Sequence, residues 1–150
     1  MRPFARFDRL AAVAALAAAA TLLTACAAGV SLDEPIESRV WRLTSLGLQP
    51  VRTAPTGADP QRDPQVQFDG TRVSGSGGCN RLTGEYRRTG YDLKIGPLAA
   101  TRMACVDPER STVETAFVGA LQATTGYALV GSQLTLLDAG GRTLAVLESR

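Results

Sequence analysis

Closely spaced turn signals divide the chain after residue 65 into short segments, and this spacing narrows the folds that it can form. Asp69-Gly70 is a strong β-hairpin signal between two segments in which apolar and polar residues alternate. Further turn signals are Thr89-Gly90, Gly96-Pro97, Gly131-Ser132 and Ala139-Gly140-Gly141. The strands between them are Val66–Phe68, Arg72–Ser74, Leu82–Arg87, Tyr91–Ile95, Tyr127–Val130, Leu134–Leu137 and Thr143–Leu147, with Val40–Leu43 upstream. Short strands at this spacing predict an antiparallel meander.

One helix is predicted to interrupt the meander. Asp107 is a good N-cap, Pro108 suits the first helical position and Glu109 complements the positive start of the helix. A single apolar stripe follows at helical spacing, formed by Val113, Ala116, Phe117, Ala120 and Leu121. Gly126 is the predicted C-terminal stop. We therefore predict an α+β fold in which one helix packs against a small curled antiparallel sheet.

The first 25 residues have the layout of a secretory signal peptide. Arg2, Arg6 and Arg9 form a basic start, and the stretch from Leu10 to Leu23 contains no charge. A membrane-spanning helix is the alternative, but it needs about 20 apolar residues, and alanine fills much of this shorter stretch. Charge, length and the small residues that follow favour a cleaved signal peptide.

The run Leu23-Thr24-Ala25-Cys26 resembles the lipobox of bacterial lipoproteins. In those proteins the cysteine thiol receives a diacylglycerol, the peptidase cuts before the cysteine, and the new amino terminus is acylated. The resemblance implies a mature protein that begins at a lipidated Cys26. The three acyl chains that it would carry suffice for stable anchoring. Ala27 and Ala28 follow in place of an aspartate retention signal. In a Gram-negative host we therefore expect an outer-membrane anchor, with the protein facing the periplasm.

Without the leader the chain carries balanced charge. The whole sequence has 16 Lys+Arg and 14 Asp+Glu, and residues 1–25 hold three arginines and one aspartate, which leaves 13 of each sign. A neutral domain lacks the basic footprint of nucleic-acid binding, so no nucleic-acid partner is expected. The remainder, about 125 residues, is the size of one domain. We divide it into a tether, residues 26–37, and a domain, residues 38–150.

A proline-rich segment follows the first predicted strand. Residues 49–64 contain four of the eight prolines, Pro50, Pro55, Pro60 and Pro64. Proline cannot continue a helix or a central strand, so this segment is predicted to be an exposed loop. A partner-binding arm is one interpretation, and a tolerated surface insertion is the favoured one.

The three cysteines support export from the cytoplasm. An odd number is awkward in an oxidising compartment, but lipidation of Cys26 would leave Cys79 and Cys105 as an even pair. Such a pair tends to form a disulfide outside the cytoplasm. A metal site and a redox pair are the weaker alternatives, because the chain has no CxxC motif and no histidine.

Catalysis is not expected. Without histidine the chain has no Ser-His or Cys-His pair, and its only lysine, Lys94, lies on a predicted strand. Glu85 and Glu114 are available as an acid/base pair. Their simpler interpretation is a solvated strand face and a charge on the helix surface. We predict no catalytic residue, no cofactor and no metal site.

The centre of the chain resembles the META/HslJ family. The residues that carry the resemblance are Gly77-Gly78-Cys79-Asn80-Arg81, Gly84-Glu85-Tyr86, Ile95–Leu98, Thr101–Cys105, Glu114 and Phe117, with Trp41 and Leu43 at the start and Leu134–Leu136 and Asp138–Gly141 at the end. They cover about residues 38 to 148. The resemblance implies a small barrel-like antiparallel sheet with one helix across it. It also implies a family of heat-inducible envelope proteins and lipoprotein domains with no associated catalytic activity.

The motif residues are interpreted as structural. Gly75, Gly77 and Gly78 are expected to form a tight bend that presents Cys79, because a phosphate-binding loop would need a following helix. Asn80 is expected to bond nearby backbone. The remaining predictions place Thr101 and Met103 close to the disulfide, Met103 in a core gap, and Trp41 and Tyr86 in the core with a polar edge.

Two functional hypotheses follow from the family resemblance. The first is an envelope stress or maintenance lipoprotein whose domain binds another protein or stabilises the outer membrane. The second is a pilotin-like or lipid-carrying module, since the family fold looks similar to that of pilotins, lipoproteins that bind a secretin tail and lipid. The barrel interior distinguishes them. An interior filled by Trp41, Phe68, Tyr86 and Phe117 favours the first, and an open apolar interior favours the second.

Overall fold

A computed structural model gives the fold of residues 36–52 and 63–149, the part of the chain described below. It contains ten strands and one helix in this part of the chain. They are β1 (Val40–Leu46), β2 (Gln49–Pro50), β3 (Gln65–Asp69), β4 (Arg72–Ser76), β5 (Arg81–Thr89), β6 (Asp92–Ile95), β7 (Ala99–Ala100), α1 (Pro108–Ala123), β8 (Gly126–Val130), β9 (Gln133–Leu137) and β10 (Thr143–Ser149).

Eight of the strands close a barrel. The neighbours around the ring are β1, β3, β4, β5, β6, β8, β9 and β10, and β10 pairs back with β1, with Trp41 opposite Ser149. All of these pairings are antiparallel. The two-residue strands β2 and β7 pair with β1 and β5 outside the ring. The predicted α+β fold with a curled, barrel-like sheet and one helix is confirmed.

The antiparallel order gives the barrel two distinct ends. The hairpins at Gly70, Gly90 and Gly131 lie at the same end as the start of β1, and we call this the Ile36 end. The opposite end carries the loop from Gly77 to Asn80 and the turn between β9 and β10. Helix α1 packs there against β1, β6 and β10, so we call it the helix end.

Alternation along the strands directs apolar side chains into the barrel. In β3, Val66 and Phe68 are buried while Gln67 between them is exposed, and β5 buries Leu82 and Tyr86 in the same way. Trp41, Phe68 and Phe117 are completely buried, and Tyr86 is 3% exposed. These aromatic rings and the surrounding aliphatic side chains form one core, so the interior is filled.

The domain begins earlier than the predicted boundary at residue 38. Ile36 is completely buried, and its carbonyl accepts a hydrogen bond of 2.7 Å from Trp41 Nε1. Glu37 forms a parallel bridge with Phe68. Residues 36 and 37 therefore belong to the barrel and not to the tether.

The proline-rich segment is exposed at its start, as predicted, but buried at its end. Pro50 lies in β2 and is exposed, whereas Asp63 and Pro64 are buried. Asp63 forms an ion pair with Arg42 of β1, which explains why a carboxylate is only 3% exposed there. Residues 53–62 of the predicted loop lie outside the described residues.

Helix α1 begins as predicted and ends differently. Asp107 is the N-cap, and its carboxylate accepts a hydrogen bond of 2.9 Å from the Glu109 N–H. The helix stops at Ala123, because Thr124 is extended and donates its hydroxyl to the Ala120 carbonyl at 2.8 Å. The predicted stop at Gly126 is wrong, since this residue begins β8.

The buried face of the helix is narrower than the predicted stripe. Phe117, Ala120 and Leu121 are buried, and Val113 is half-buried. Ala116, a member of the predicted stripe, is exposed.

Candidate functional site: a hydrogen-bonded clasp at the helix end

Glu114 joins helix α1 to the glycine-rich loop between β4 and β5. One carboxylate oxygen accepts hydrogen bonds from the backbone N–H groups of Cys79 and Asn80, at 2.9 Å and 2.7 Å. The other accepts a bond of 2.6 Å from Asn80 Nδ2. The carboxylate is therefore held by three donors, and the expected solvated charge on the helix surface is wrong. We call this arrangement, with Thr101, Met103 and Cys105, the clasp.

Asn80 connects the clasp to a third segment of the chain. Its Oδ1 accepts a hydrogen bond of 2.7 Å from the Met103 N–H and one of 3.0 Å from the Thr101 hydroxyl. The Thr101 oxygen also accepts the Arg81 N–H at 3.1 Å. Asn80 does bond backbone as predicted, but the backbone belongs to a segment 23 residues away.

Two glycines are required for the approach of Glu114 to the loop. A Cβ atom on Gly77 would lie 2.4 Å from Glu114 Cγ and 2.6 Å from its Oε2, closer than atoms can pack. Gly78 has a φ of 117°, in the region that favours glycine. Gly77 and Gly78 form the predicted tight bend, but Gly75 lies in β4, paired with Val66 and Leu82, and is not part of it. Gly84 lies in β5, where Leu98 packs over it.

The predicted cysteine pair lies within the clasp. Cys79 and Cys105 are at disulfide distance, with 5.6 Å between their Cα atoms and a sequence separation of 26. The pair links the glycine-rich loop to the segment that precedes α1. The two segments are thus connected twice, once by the cysteine pair and once by the hydrogen bond between Asn80 and Met103.

Met103 is positioned differently from the prediction. Its backbone N–H bonds Asn80 in the clasp, but its side chain is 65% exposed and fills no core gap. Thr101 is also exposed, although its hydroxyl takes part in the clasp. Residues 99 and 100 pair with β5 outside the ring, and residues 101–104 and 106 are exposed, so this segment lies on the outside of the barrel and not in its core.

The clasp keeps Glu114 ionised. Burial raises the pKa of its carboxyl and is the largest single influence, but the hydrogen bonds from Asn80 and Cys79 together outweigh it, and the pKa lies below the ordinary value. A carboxylate with three donors is an anion at neutral pH. It is therefore poorly suited to donate a proton, and Glu85, the other carboxylate considered, is exposed on β5.

A second polar network lies at the Ile36 end and has no counterpart in the sequence predictions. The Tyr86 hydroxyl donates to Glu37 Oε1 at 3.0 Å, and Arg88 Nε donates to the same oxygen at 3.1 Å. Arg88 also reaches the Tyr127 hydroxyl at 3.2 Å. Burial, then the bond to Glu37 and its negative charge, raise the pKa of Tyr86 to about 12. The sequence prediction places Glu37 in the tether and therefore gives it none of these partners.

A groove runs beside the clasp. Its volume is about 470 Å³, and its walls include the apolar Leu46, Val51 and Val113 and the charged Asp63 and Arg110. Gly77 and Gly78 form part of the same wall. The groove is on the outside of the barrel, separate from the filled interior.

In residues 36–52 and 63–149, no three or more Cys, Asp or Glu side chains are grouped so that they could hold a metal ion. None of the helices in that part of the chain has the length and apolar character needed to cross a membrane. Cys26, the predicted lipidation site, lies outside the described residues.

Comparison with known proteins shows the family. The model of the META domain matches residues 34–150. Heat shock protein HslJ of Escherichia coli (strain K12) is 25% identical over 130 residues, which is 85% of this chain and 89% of that protein.

Solved structures have the same fold. An NMR structure of a protein from Burkholderia xenovorans has 27% identity and a TM-score of 0.57, over 77% of this chain and 83% of that one. The crystal structure of a DUF4847 family protein from Bacteroides vulgatus shares the fold alone, with 14% identity and a TM-score of 0.54 over 75% of this chain and 93% of that one. The matched range includes both the barrel and the clasp, and the chain belongs to the META domain family.

Proposed function

We propose that this protein is a non-enzymatic lipoprotein of the outer membrane, and that its META domain acts in envelope stress response or maintenance by binding another protein through its outer surface. The similarity to a heat shock protein supports the stress-related part of the proposal. The lipobox-like run that ends at Cys26 supports the anchor.

The filled barrel interior carries the argument for surface binding. Trp41, Phe68 and Phe117 are completely buried, and Tyr86 is 3% exposed. Interiors packed in this way leave no room for an acyl chain or a peptide helix unless core side chains move, which costs several kcal/mol per displaced aromatic residue, roughly 3 to 5. A pilotin-like or lipid-carrying module would need the opposite arrangement.

The state of the carboxylates supports a non-enzymatic role. Glu114, the best candidate for acid/base chemistry, has its three donors within the protein and serves to hold the loop. Its partner in that hypothesis, Glu85, is exposed on β5.

Native mass spectrometry tests how the domain binds. Residues 27–150 are exported, purified gently from the periplasm and sprayed without denaturant. A bare protein mass is the expected result for a filled barrel. A stoichiometric lipid or fatty-acid adduct would contradict surface binding and favour the carrier hypothesis.

Labelling with palmitate tests the anchor separately. The full chain should incorporate label and sediment with outer-membrane fractions, while Cys26→Ser should do neither. Cys79→Ser is the matched control, because it loses a cysteine but keeps Cys26 and should still be labelled. Label in Cys26→Ser, or its absence from the full chain, would refute lipidation at this site.

A further inference from the structure

The described chain enters the barrel at one end only, and this determines which surface can face an anchoring membrane. Ile36 is buried at the Ile36 end, where Arg39 Nη1 donates to the Gly131 carbonyl at 3.4 Å and Arg88 binds Glu37 at 3.1 Å. These contacts place residues 36–39 against the hairpins of that end. A chain anchored at Cys26 therefore reaches the barrel from this side.

The sequence between the anchor and the barrel is short. Nine residues separate Cys26 from Ile36. A random coil of this length would have a root-mean-square span of about 17 Å, and full extension of any such chain gives only about 35 Å.

The barrel is tall compared with that span. β5 has nine residues and is about 30 Å long, which at the usual strand tilt gives about 23 Å of height before the loops are added. To lay the helix end on the membrane, the connection would have to run along the whole barrel and span about 23 Å or more of its reach of about 35 Å. Such extended states are roughly tenfold or more rarer than compact ones.

The surface at the Ile36 end suits a membrane interface. Three of its exposed side chains are large and apolar: Val40, Tyr91 and Val130 are 41%, 54% and 76% exposed. The helix end exposes Leu48, Met103 and Val106 to a similar or greater degree, so the length and entry point of the connection, and not the apolar surface, distinguish the two ends. Tyr91 and Val130 lie at the hairpins between β5 and β6 and between β8 and β9. Tyrosine is favoured at lipid headgroups because its ring is apolar and its hydroxyl is polar.

We propose that the Ile36 end of the barrel docks on the surface of the membrane that holds the lipid anchor, with Tyr91 and Val130 in the headgroup region. The proposal rests on the anchoring at Cys26 proposed above. Its consequence is that the clasp and the groove face away from the membrane, where a partner protein in the surrounding compartment can reach them.

Tryptophan reporters and brominated lipids test this orientation. The lipidated protein is placed in vesicles of phosphatidylethanolamine and phosphatidylglycerol with brominated acyl chains. Tyr91→Trp and Val130→Trp report on the Ile36 end, while Leu48→Trp and Val106→Trp, at residues 91% and 97% exposed, report on the helix end. Trp41 is the only natural tryptophan and is buried, so it gives a constant background.

The expected result is that quenching at the Ile36 end exceeds quenching at the helix end by on the order of tenfold. A 20-residue Gly/Ser insertion after residue 30 should reduce that difference, because the longer chain spans about 30 Å on average. Equal quenching at both ends, stronger quenching at the helix end, or no quenching at either end overturns the proposal.

Failure of the anchor is distinguished from failure of the orientation by the intact mass measured beforehand. If the mass shows no acyl chains, the proposed lipidation is wrong. The same reporters are then coupled at Cys26 to a maleimide phospholipid, with Cys79 and Cys105 kept paired, and the orientation is tested on that protein. The quenching outcomes have the same meaning there.

Discussion

The clasp should lose most of its stabilising effect when Glu114 is replaced by alanine. Glu114→Ala removes the acceptor of three hydrogen bonds, two from backbone N–H groups and one from Asn80 Nδ2. Hydrogen bonds to a charged group contribute about 1.5 to 3 kcal/mol each, but they are not additive, and water can reach part of this site. We therefore expect the free energy of unfolding to fall by about 2 to 4 kcal/mol.

Urea unfolding of residues 27–150 measures this loss. With an m-value of about 2 kcal/mol/M, the midpoint should fall by roughly 1 to 2 M. Glu109→Ala is the matched control on the same helix, because Glu109 is exposed and contributes only through the helix start, about 0.5 kcal/mol. Glu114→Gln should be intermediate, since its amide nitrogen cannot accept a bond from one of the donors.

The pH dependence of this difference provides an independent check. The pKa of Glu114 is lower in the folded protein than its ordinary value of 4.5. Its stabilisation is therefore present above the unfolded pKa and is lost as the pH falls through the folded pKa. The gap between wild type and Glu114→Ala should be full at pH 7 and shrink below about pH 4. A gap that is the same at pH 7 and pH 2.5, or equal effects of Glu114→Ala and Glu109→Ala, would refute the role assigned to the carboxylate.

Three further predictions concern glycines, a buried tyrosine and the cysteine pair. Gly77→Ala should destabilise the domain by about 2 kcal/mol because its Cβ would displace Glu114. Gly119→Ala, in open space on α1, should instead stabilise it by about 0.5 to 1 kcal/mol. Thermal melts of both variants check the opposite signs. The Tyr86 phenol should ionise near pH 12, so its stabilising effect is present below pH 10 and is lost as the pH rises through about 12. The ultraviolet absorbance of the wild type minus that of Tyr86→Phe measures this ionisation. Ionisation near pH 10 would contradict the prediction. Replacing both Cys79 and Cys105 by alanine should lower the free energy of unfolding by about 3.5 kcal/mol for a 26-residue separation, and an unchanged midpoint in urea would argue against a disulfide.

Local patterns predicted most of the strands and the helix start. The Asp69-Gly70 turn and the alternation around it placed β3 and β4 within one or two residues, and Asp107 with Pro108 placed the first turn of α1. These features depend on residues that are close together in the chain, so the sequence pattern is enough to predict them. The C-terminus of α1 was not predicted correctly. Thr124 caps it in place of a glycine, since its hydroxyl bonds the Ala120 carbonyl.

Contacts between distant segments were predicted less well. The motif residues were identified, but the role of Glu114 as the acceptor for Cys79 and Asn80 depends on a separation of 34 or 35 residues. The same limitation explains Glu37, whose place beside Tyr86 and Arg88 arises only when the barrel forms. Met103 shows a different error. Its apolar side chain predicts a core position, but the side chain is exposed and only the backbone N–H takes part in the clasp.

Closure of the barrel by its first and last strands has a consequence for the order of folding. β1 pairs with β10 over a separation of more than 100 residues. β1 is the first strand of the domain to be synthesised or exported, so it gains its neighbour on that side only when the final strand arrives. Non-local pairing of this kind slows folding, because the entropy of closing a long loop is lost before the contacts form. A chain that crosses a membrane with its amino terminus leading would thus stay incomplete until residue 149 has emerged. The ring closes last at the place where its two termini meet.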